Sequence, residues 1–545
     1  MGEIRLVPAA LVVWAVAAVA ITLGVGIAVV VVLVAVIGAV VLRAYGQAVF
    51  IAGMGAAAVV TTGVRLRIAR AWEPAGQFVG RVSGAPKQTS TGGFIVRVQV
   101  DGNPTLTPVF VDEVPDTAVS GAQVVVRGVV KESEMAGINP IAVNGSVEVV
   151  APPQGLAAFA QHTRETFAGV VQATVGESAQ GLIPGMVLGD VSLQTSQEQQ
   201  DYIDTGLSHL SAVSGANVAI VTTFAAIAAA AVGLGLRGRI VASAAALLLY
   251  ASLVGSEPSV LRASVSGLVG LTAVLASRQS EPIHALCLSV IGLVLVDSDL
   301  AVHYGFALSV AATAGIVALF PLLYRVLAAT GWPDILVRAL GVAVAADVAT
   351  MPIVAMMAGR VSLVSVVANV IVAPVTGPVT VLGLAAVLLS LIHGGLAAPV
   401  LWVVEPMAYW VRVVAENGAR FPGATVETEP IVVVVVYGWF LAGLFAGYPK
   451  TTLAAALVCG FGVVLSQAPA GTPVDVGRLR AHVVEKQEDA LPIPPGTQLV
   501  VVLEKGRPHR RPVVTDQGIP VIFPNRDGNV AIYPDGTQVL PRREF

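Results

Sequence analysis

The feature that most constrains this chain is an apolar run from Leu6 to Leu42 that contains no charged residue. As a single helix rising about 1.5 Å per residue, the run would reach far beyond the ~30 Å hydrocarbon core of a bilayer. It therefore predicts two membrane spans joined by a hinge, for which Gly24 and Gly26 are the natural positions. Because a second span follows at once and Arg5 precedes the first, we interpret this start as a signal anchor and not as a cleaved signal peptide.

The composition extends this conclusion to the whole chain. Of 545 residues, 55% are hydrophobic and 12% are charged, and the charged share is about half that of an average soluble domain. An ordinary water-soluble enzyme is excluded, and a polytopic α-helical membrane protein is predicted. The net charge of −3 excludes a basic protein that coats nucleic acid, although it would not reveal a local cationic path. Both cysteines lie in apolar segments, so neither a disulfide framework nor a zinc site is predicted.

The sequence divides into four regions, of which the first, residues 1–70, holds the N-terminal spans. In residues 76–152, polar and apolar residues alternate between turn signals, which predicts a small extracytoplasmic β-barrel of the oligonucleotide/oligosaccharide-binding (OB) type. Its strands are expected at Gln77–Val82, Phe94–Val100, Val109–Val111, Gln123–Val130 and Ile141–Val150. Acidic residues outnumber basic ones there, so a structural or docking role and nucleic-acid binding both remain open.

A longer series of apolar segments occupies residues 155–467, after an amphipathic stretch from Leu156 to Val175. Spans are expected near Ser211–Leu234, Ile240–Val254, Ser259–Ala276, Pro282–Val296, Tyr304–Leu323, Ala339–Met357, Ser362–Leu391, Leu396–Val414, Ile431–Phe445 and Thr452–Leu465. Residues 471–545 are polar, are rich in Pro and Gly and include a basic cluster, Lys505–Arg511. We expect this last region to be a small, β-rich extramembrane segment.

The arginines between the spans predict the topology. The positive-inside rule places Arg5 and Arg43 in the cytoplasm, together with later loop arginines, and so places the barrel and the C-terminal region outside. The later loop arginines are Arg237, Arg239, Arg278, Arg325 and Arg338. A third span is expected at about Ala48–Val64, and the three arginines that follow it, Arg65, Arg67 and Arg70, oppose this topology.

Three stretches place Gly, Pro and polar residues at membrane depth, where exposed backbone and charge are unfavourable unless they line a protein interior or a water-filled path. The first contains Gly181–Asp190 and Thr205–Val218, the second is Gly255–Ala263, and the third contains Tyr304–Ser309 and Ala349–Pro352, followed by Gly359, Ser362, Asn369 and Pro374.

Taken in this order, the stretches resemble the competence domain of the ComEC family, the inner-membrane DNA-uptake channels of transformable bacteria. Family members contain sequences similar to three motifs in order: Leu-Leu-Pro-Gly-x-x-x-Gly-Asp, Gly-Leu-x-His-Leu-x-Ala-x-Ser-Gly and Pro-Ser-x-x-Arg-Ala. This chain has a counterpart of each. N-terminal spans followed by a barrel also resemble the family layout, so the resemblance covers roughly residues 1–465. The chain departs from the family at Asn217, where His is common, and at Ala307, where Gln is common.

The resemblance implies that the chain passes single-stranded DNA across the inner membrane, as a multi-pass protein working with a DNA receptor protein and a cytoplasmic ATPase motor. The metallo-β-lactamase-like nuclease domain that many family members carry at the C-terminus is not recognised, and the seven histidines form no metal-binding cluster. None of the five lysines follows a glycine, so a phosphate-binding loop of the Gly-Lys-Ser/Thr type is absent. We therefore predict no enzyme activity, no metal and no cofactor, and a nuclease, where one acts, would be a separate protein.

Seven residues are candidates for the DNA path. They are His209, Ser214, Asn217, Arg262, Glu257, Asp190 and Asn369. Arg262 lies about one turn after Pro258 and needs a partner or an aqueous route, because an isolated arginine at this depth costs about 2.5–3.5 kcal/mol. Glu257 and Asp190 are its candidate partners, so a structural ion pair and a phosphate contact both remain open.

The other candidates also have structural readings. His209 could contact a phosphate or orient neighbouring backbone. Ser214 and Asn217, at the start of a span, could present polar groups to a solute, or the small residues there could serve close helix packing. Asn369 and Asp347, in later spans, allow the same two interpretations, and Pro352, Pro374 and Pro378 are interpreted as kinks.

Two functions of other classes are compatible with parts of the sequence. Ser214, in Ala212-Val213-Ser214-Gly215, with His303 as its base, would form the dyad of an intramembrane serine protease, although the first Gly of that motif is missing. A secondary transporter of a small solute would be expected to show paired broken helices in internal repeats, and no convincing repeat is found.

Overall fold

A computed structural model divides the chain into two compact units, Met1–Val458 and Cys459–Phe545. In the first unit it describes residues 5–74, 76–89, 93–133, 135–255, 257–275, 281–421 and 423–458. In the second it describes residues 459–466, 479–486, 493–494, 496–504, 513–515, 519–527, 530–532 and 538–539.

The hinge predicted in the first apolar run is present. Val7–Thr22 forms α1 and Val25–Val41 forms α2, and between them Gly24 has a φ of +102°, a conformation that favours glycine. Gly26 lies inside α2 and is not part of the turn. Tyr45–Ala71 forms α3, which continues about two turns beyond the end predicted from its apolar residues.

The barrel follows α3 and has six strands. They are β1 (Gln77–Val82), β2 (Lys87–Gln88), β3 (Phe94–Gln99), β4 (Leu106–Val111), β5 (Gln123–Glu132) and β6 (Ile141–Ala151). The strand order is β1-β5-β6-β4-β3-β2, and an additional pairing of β1 with β3 closes the sheet. Strands β4 and β6 are parallel and all other pairs are antiparallel. Apart from the short β2, this is the predicted five-stranded barrel of the OB type, with a core made largely of valines.

The barrel is fastened to the helices by a group of contacts that we call the barrel latch, formed by Arg65, Asp299 and their partners. Arg65 Nη2 donates to Asp297 Oδ1 at 2.7 Å and to the Pro104 carbonyl at 3.0 Å. Asp299 Oδ1 accepts the Ile138 N–H at 2.7 Å. Pro104 and Ile138 belong to barrel loops, so one of the three arginines that oppose the predicted topology has a structural role at the barrel.

The helices after the barrel reproduce the predicted order of apolar segments. They are α4 (Leu156–Thr174), α5 (Glu177–Gln180), α6 (Leu182–Leu188), α7 (Ser196–Asp204), α8 (Gly215–Ala231), α9 (Leu236–Val254), α10 (Pro258–Leu275), α11 (Pro282–Val296), α12 (Tyr304–Ala328), α13 (Asp334–Ala358), α14 (Ser365–Ile392), α15 (Gly394–Ala419), α16 (Pro430–Phe445) and α17 (Pro449–Ser466). Two short strands, β7 (Arg360–Ser362) and β8 (Thr425–Glu427), pair in an antiparallel ladder beside them. Short 3₁₀ turns occur at Ser208–Ser211 and Ser298–Val302.

The helix lengths agree with a membrane protein. Among the described residues, six helices are long and apolar enough to cross a bilayer, namely α3, α9, α12, α13, α14 and α15. Six shorter apolar helices, α1, α2, α8, α10, α11 and α16, accompany them. Large apolar side chains on these helices are exposed in quantity, for example Val34, Leu248 and Trp402, which is the surface that hydrocarbon tails would cover. The chain is a polytopic α-helical membrane protein with a β-barrel domain.

The second unit is small and rich in strands. Its described elements after α17 are β9 (Ala481–Val484), β10 (Leu499–Val502), β11 (Val513–Val514), β12 (Pro520–Ile522), α18 (Pro524–Asp527), β13 (Ala531–Ile532) and β14 (Gln538–Val539). Strands β9 to β12 form one sheet and β13 pairs with β14. The predicted basic cluster Lys505–Arg511 and the loop residue Arg278 lie outside the described residues.

Candidate functional site

The first feature of the site is a set of three glycines four residues apart, which we call the glycine platform: Gly181, Gly185 and Gly189. Gly185 lies within α6, and Gly181 and Gly189 stand at its two ends. A Cβ on Gly185 would stand 3.0 Å from Gln194 Nε2 and 3.3 Å from the Ser211 carbonyl oxygen. The platform therefore lets the segment that follows it approach the backbone of α6, whose residues are all buried.

Asn217 ties this helix to its neighbours. Its side chain is 2% exposed, and its Nδ2 donates to the Met186 carbonyl at 2.7 Å. The Tyr250 hydroxyl, 3.3 Å from the same nitrogen, donates to the Val187 carbonyl at 2.7 Å. These bonds satisfy carbonyls at the end of α6 that have no partner within the helix. Three elements, α6, α8 and α9, are joined in this way, so Asn217 has a clear structural role.

Ser214 completes this polar group, and its hydroxyl is not hydrogen-bonded to a base that could activate it as a nucleophile. Its Oγ donates to Asn217 Oδ1 at 2.9 Å. The ring of His303 is engaged elsewhere, because its Nδ1 accepts the Gly305 N–H at 3.1 Å and so caps α12. No hydrogen bond joins Ser214 to His303 in the part of the chain that the structure describes, so the dyad of the protease interpretation is not formed.

Arg262 lies on α10, in the first turns of the helix as predicted, and is 8% exposed. Its Nε donates to Ser309 Oγ at 2.9 Å. Its Nη2 lies 3.4 Å from the position that a Cβ on Gly215 would occupy, at the start of α8. The guanidinium of Arg262, in the second motif stretch, therefore lies against Gly215 of the first stretch and Ser309 of the third.

The ion pairs predicted for Arg262 are not formed among the described residues. Asp190 Oδ1 accepts the Ser192 N–H at 3.0 Å, and Glu257 is exposed at the residue before α10. For Glu257 the physical reason is its position just before α10. Its backbone carbonyl accepts the first hydrogen bonds of the helix, from the N–H groups of Val260 and Leu261. Arg262 thus holds a buried positive charge with a neutral hydroxyl as its hydrogen-bond partner.

Three helix starts surround this arginine. Ser259 Oγ, at the start of α10, donates to the Val213 carbonyl just before α8, at 2.9 Å. A Cβ on Gly305, at the start of α12, would lie 3.9 Å from Pro258 Cγ. A helix N-terminus carries a partial positive charge and free N–H groups. The starts of α8, α10 and α12 together with Arg262 form an electropositive region that we call the helix-start cluster.

Residues 186–451 of the chain match the model of a family described as Competence protein. Over this region, which we call the competence region, the chain is similar to the competence protein family. No curated protein and no solved structure matches the chain. The competence region contains the helix-start cluster and Asn217, and it leaves out the N-terminal helices and the barrel.

A second polar cluster of the competence region lies on α13, α14 and α16. Ser365 Oγ donates to Asp347 Oδ1 at 2.9 Å, and the Tyr437 hydroxyl donates to Asp347 Oδ2. Asn369 Nδ2 donates to the Ser365 carbonyl at 2.9 Å, within α14. Asn369 therefore supports the start of α14 and belongs to this second cluster and not to the helix-start cluster.

His209 lies on the exposed 3₁₀ turn between α7 and α8. Its Nδ1 is 3.1 Å from the Gly206 carbonyl oxygen. Gly206, with a φ of +69°, packs against Ser365 so closely that a Cβ would stand 2.4 Å from the serine Oγ. The structure thus places His209 beside the second cluster, so the predicted site residues are divided between two places in the competence region.

Charged groups of the barrel act on His303 at the beginning of α12. Burial, followed by the positive charges of Arg97 and Lys87, lowers the pKa of His303, and the negative charges of Glu257 and Asp297 partly oppose this. Arg97 lies on β3 and Lys87 on β2. Basic groups of the barrel therefore act on the same end of α12 that contributes to the helix-start cluster.

Sequence reasoning missed several residues that complete these sites. Tyr250 and Tyr437 are hydroxyl donors on apolar helices, and Ser309 is the partner of Arg262. The available signal was polarity within a membrane span, which marks Tyr and Ser weakly because both also occur in apolar surroundings. Ser309 is part of the third motif stretch, but nothing in that stretch indicates that its partner is Arg262.

Proposed function

We propose that this protein is an inner-membrane channel that passes single-stranded DNA into the cell during natural transformation. The similarity of residues 186–451 to the competence family supports a part in DNA uptake. The observation that carries the more specific proposal is Arg262, a buried arginine that no carboxylate neutralises among the described residues, at the meeting point of three helix starts.

A DNA strand carries one negative charge per nucleotide. A narrow route through low-dielectric surroundings needs fixed positive groups that offset this charge without holding it tightly. Helix starts supply N–H donors for phosphate oxygens, and the arginine fork supplies two more in one plane. The helix-start cluster combines both kinds of group, and Arg97 and Lys87 would extend the positive field toward the barrel.

In this proposal the barrel lies outside the membrane and receives the strand, and the helices conduct it. The driving force comes from a cytoplasmic ATPase, since the chain has no phosphate-binding loop of its own. A DNA receptor protein would deliver the strand, and a separate nuclease would remove its complement. Cysteines introduced at Asp101 in the barrel and at Asn525 in the second unit test the sidedness, in a background without Cys287 and Cys459. Labelling of either cysteine by an impermeant reagent only after permeabilisation would contradict an outer location.

The central experiment measures uptake of labelled DNA in a strain that lacks this chain and is complemented with variants of Arg262. We expect Arg262→Ala to abolish uptake while the protein accumulates normally in the membrane. Arg262→Lys should retain part of it, because the charge survives although the planar fork is lost. Ser309→Ala removes the partner of Nε without removing the charge, and is the matched control for loss of local packing.

Protein levels must be equal in this comparison, because a buried charge that loses its surroundings destabilises the fold. Normal uptake by Arg262→Ala at normal levels would remove Arg262 from the path. Equal loss of uptake in Arg262→Ala and Ser309→Ala would assign the arginine to structure alone.

A further inference from the structure

Asp347 is a carboxylate in the middle of a membrane span. It lies on α13, one of the six helices long and apolar enough to cross a bilayer, and is 6% exposed. At about 1.5 Å per residue, its Cα stands roughly 20 Å along the helix from Asp334. Its side chain is therefore far from either end of the span.

The hydrogen-bond partners of this carboxyl are neutral. Ser365 Oγ donates to Oδ1 at 2.9 Å, and the Tyr437 hydroxyl donates to Oδ2. In the described parts of the chain, no Lys, Arg or His forms an ion pair with Asp347. The carboxyl thus has donors for both oxygens but no counter-charge.

The elements packed against α13 place no positive counter-charge near Asp347. They are α12, α14, α16 and β7. Helix α14 has no charged or histidine side chain, and the one titratable group of α16 is Tyr437. The charge of α12 is Arg325, in its last turn. Arg360 on β7 is paired with Asp204 at 3.3 Å, and the remaining charges of α13, Asp334 and Arg338, pair with each other at its first turn.

An ionised carboxylate without a counter-ion in such surroundings is unfavourable by several kcal/mol, and the usual outcome is that the group binds a proton. A neutral carboxylic acid needs one acceptor for its proton and one donor for its carbonyl oxygen. Two hydroxyls can supply both, since each can rotate to donate or to accept. The surroundings of Asp347 fit the protonated form.

We propose that Asp347 is a proton-binding site of the membrane domain, loaded while α13, α14 and α16 are packed as in this structure and emptied when they separate during transport. On emptying, the O–H bond of the carboxyl breaks and the proton passes to water admitted between the helices. Reloading takes a proton from water and restores the bonds to Ser365 and Tyr437.

Ser365 connects the Asp347 site to the segment between α7 and α8. Gly206 packs on Ser365, and the same loop carries His209. A movement of Ser365 that follows a change in its bond with Asp347 would therefore displace the segment between α7 and α8. The part of the proposal that concerns transport rests on the proposed function, whereas proton binding does not.

The first test uses the purified full chain without DNA. Dicyclohexylcarbodiimide modifies carboxyl groups that are protonated in apolar surroundings, and mass spectrometry of peptides locates the adduct. We expect modification at Asp347 that decreases from acidic to alkaline pH, and none at that position in Asp347→Asn. Ser365→Ala should shift the pH dependence while it leaves the site reactive. Absence of an adduct on Asp347 at every pH would overturn the proposal.

The second test measures DNA uptake. Asp347→Asn keeps the shape and an acceptor oxygen but cannot exchange a proton, so we expect loss of uptake at normal protein levels, with partial recovery in Asp347→Glu. Normal uptake by Asp347→Asn would overturn the role in transport and leave a structural carboxyl. Arg262→Ala should lose uptake but keep the carbodiimide adduct at Asp347, so failure of the DNA proposal is distinguishable from failure of the proton site.

Discussion

Asn217 Nδ2 and the carbonyl oxygen of Met186 are joined by a hydrogen bond of 2.7 Å between two fully enclosed groups. The bond holds the start of α8 against the end of α6, where the carbonyl has no partner in its own helix. Asn217 is therefore part of the packing of the competence region.

We predict that Asn217→Ala destabilises the protein by about 1–3 kcal/mol, because a buried carbonyl is left without a donor. Asn417→Ala is the matched control: Asn417 Nδ2 donates to the Val413 carbonyl at 2.8 Å, but that bond is exposed. Thermal unfolding of both variants in detergent measures the difference. Equal midpoints for the two variants would show that the Met186 bond adds nothing to stability.

Ser214→Ala should be nearly silent in DNA uptake. The variant loses one hydrogen bond to Asn217 Oδ1, worth about 1 kcal/mol, and no step of a channel mechanism uses the hydroxyl. A serine protease would lose its nucleophile in the same variant. Uptake and proteolysis of a membrane substrate are measured at matched protein levels, and loss of a proteolytic activity in Ser214→Ala alone would restore the protease interpretation.

Gly206→Ala should be strongly destabilising, whereas Gly233→Ala should be mild. Both glycines have positive φ, +69° and +81°, so both substitutions strain the backbone. Only Gly206 has a close neighbour, since its Cβ would stand 2.4 Å from Ser365 Oγ, and nothing lies within 4 Å of Gly233. Expression level and unfolding temperature compare the two variants. A Gly206→Ala protein as stable as Gly233→Ala would mean that the loop does not rest on α14.

Gly383→Ala and Gly377→Ala provide a second comparison, within a single helix. A Cβ on Gly383 would stand 2.4 Å from Val187 Cγ2, and a Cβ on Gly377 would meet nothing within 4 Å. We expect the first substitution to push α14 away from α6 and to reduce uptake, and the second to have little effect. A reversed order would contradict the contact between α14 and the first motif.

Asp299 gives a pH dependence that can be checked on the barrel latch. Burial raises the pKa of its carboxyl, and neither the Ile138 N–H nor Arg65 fully offsets this. The folded state therefore holds this proton more tightly than the unfolded chain, so the carboxyl favours folding at acidic pH and this contribution is lost as pH rises through the folded pKa.

Asp299→Asn removes the titration and keeps an oxygen for the Ile138 N–H. Relative to the unmodified protein, the variant should gain stability from acidic to neutral pH, as measured by unfolding temperature across that range. Asp112→Asn, at an exposed carboxyl of the barrel outside the latch, is the control. A relative loss of stability at neutral pH would mean that the attraction to Arg65 outweighs burial.

The elements of the fold were accessible from the sequence, and the long-range contacts were not. The turn at Gly24, the barrel strands and the bounds of α11 follow from local patterns of hydrophobicity, Gly and Pro. The extension of α3 to Ala71 was missed because it carries arginines, whose partners, such as Asp297, lie far away in the chain.

The same limit applies to the site. Proximity in sequence suggested Glu257 as the partner of Arg262, whereas the hydrogen bond is made with Ser309, a residue 47 positions away. The sequence favoured a charged partner because a buried arginine was assumed to need a counter-ion. The choice between them depends on where α12 lies against α10, which no local pattern specifies.

The barrel latch and the helix-start cluster share one short piece of chain. Asp299, which holds the barrel loop at Ile138, and Ser309, which holds Arg262, are separated by the turn into α12 and its first residues. The barrel loop at Ile138 and the side chain of Arg262 are therefore both positioned by the segment from Asp299 to Ser309. A displacement of this segment would therefore shift the barrel contact and the arginine contact together.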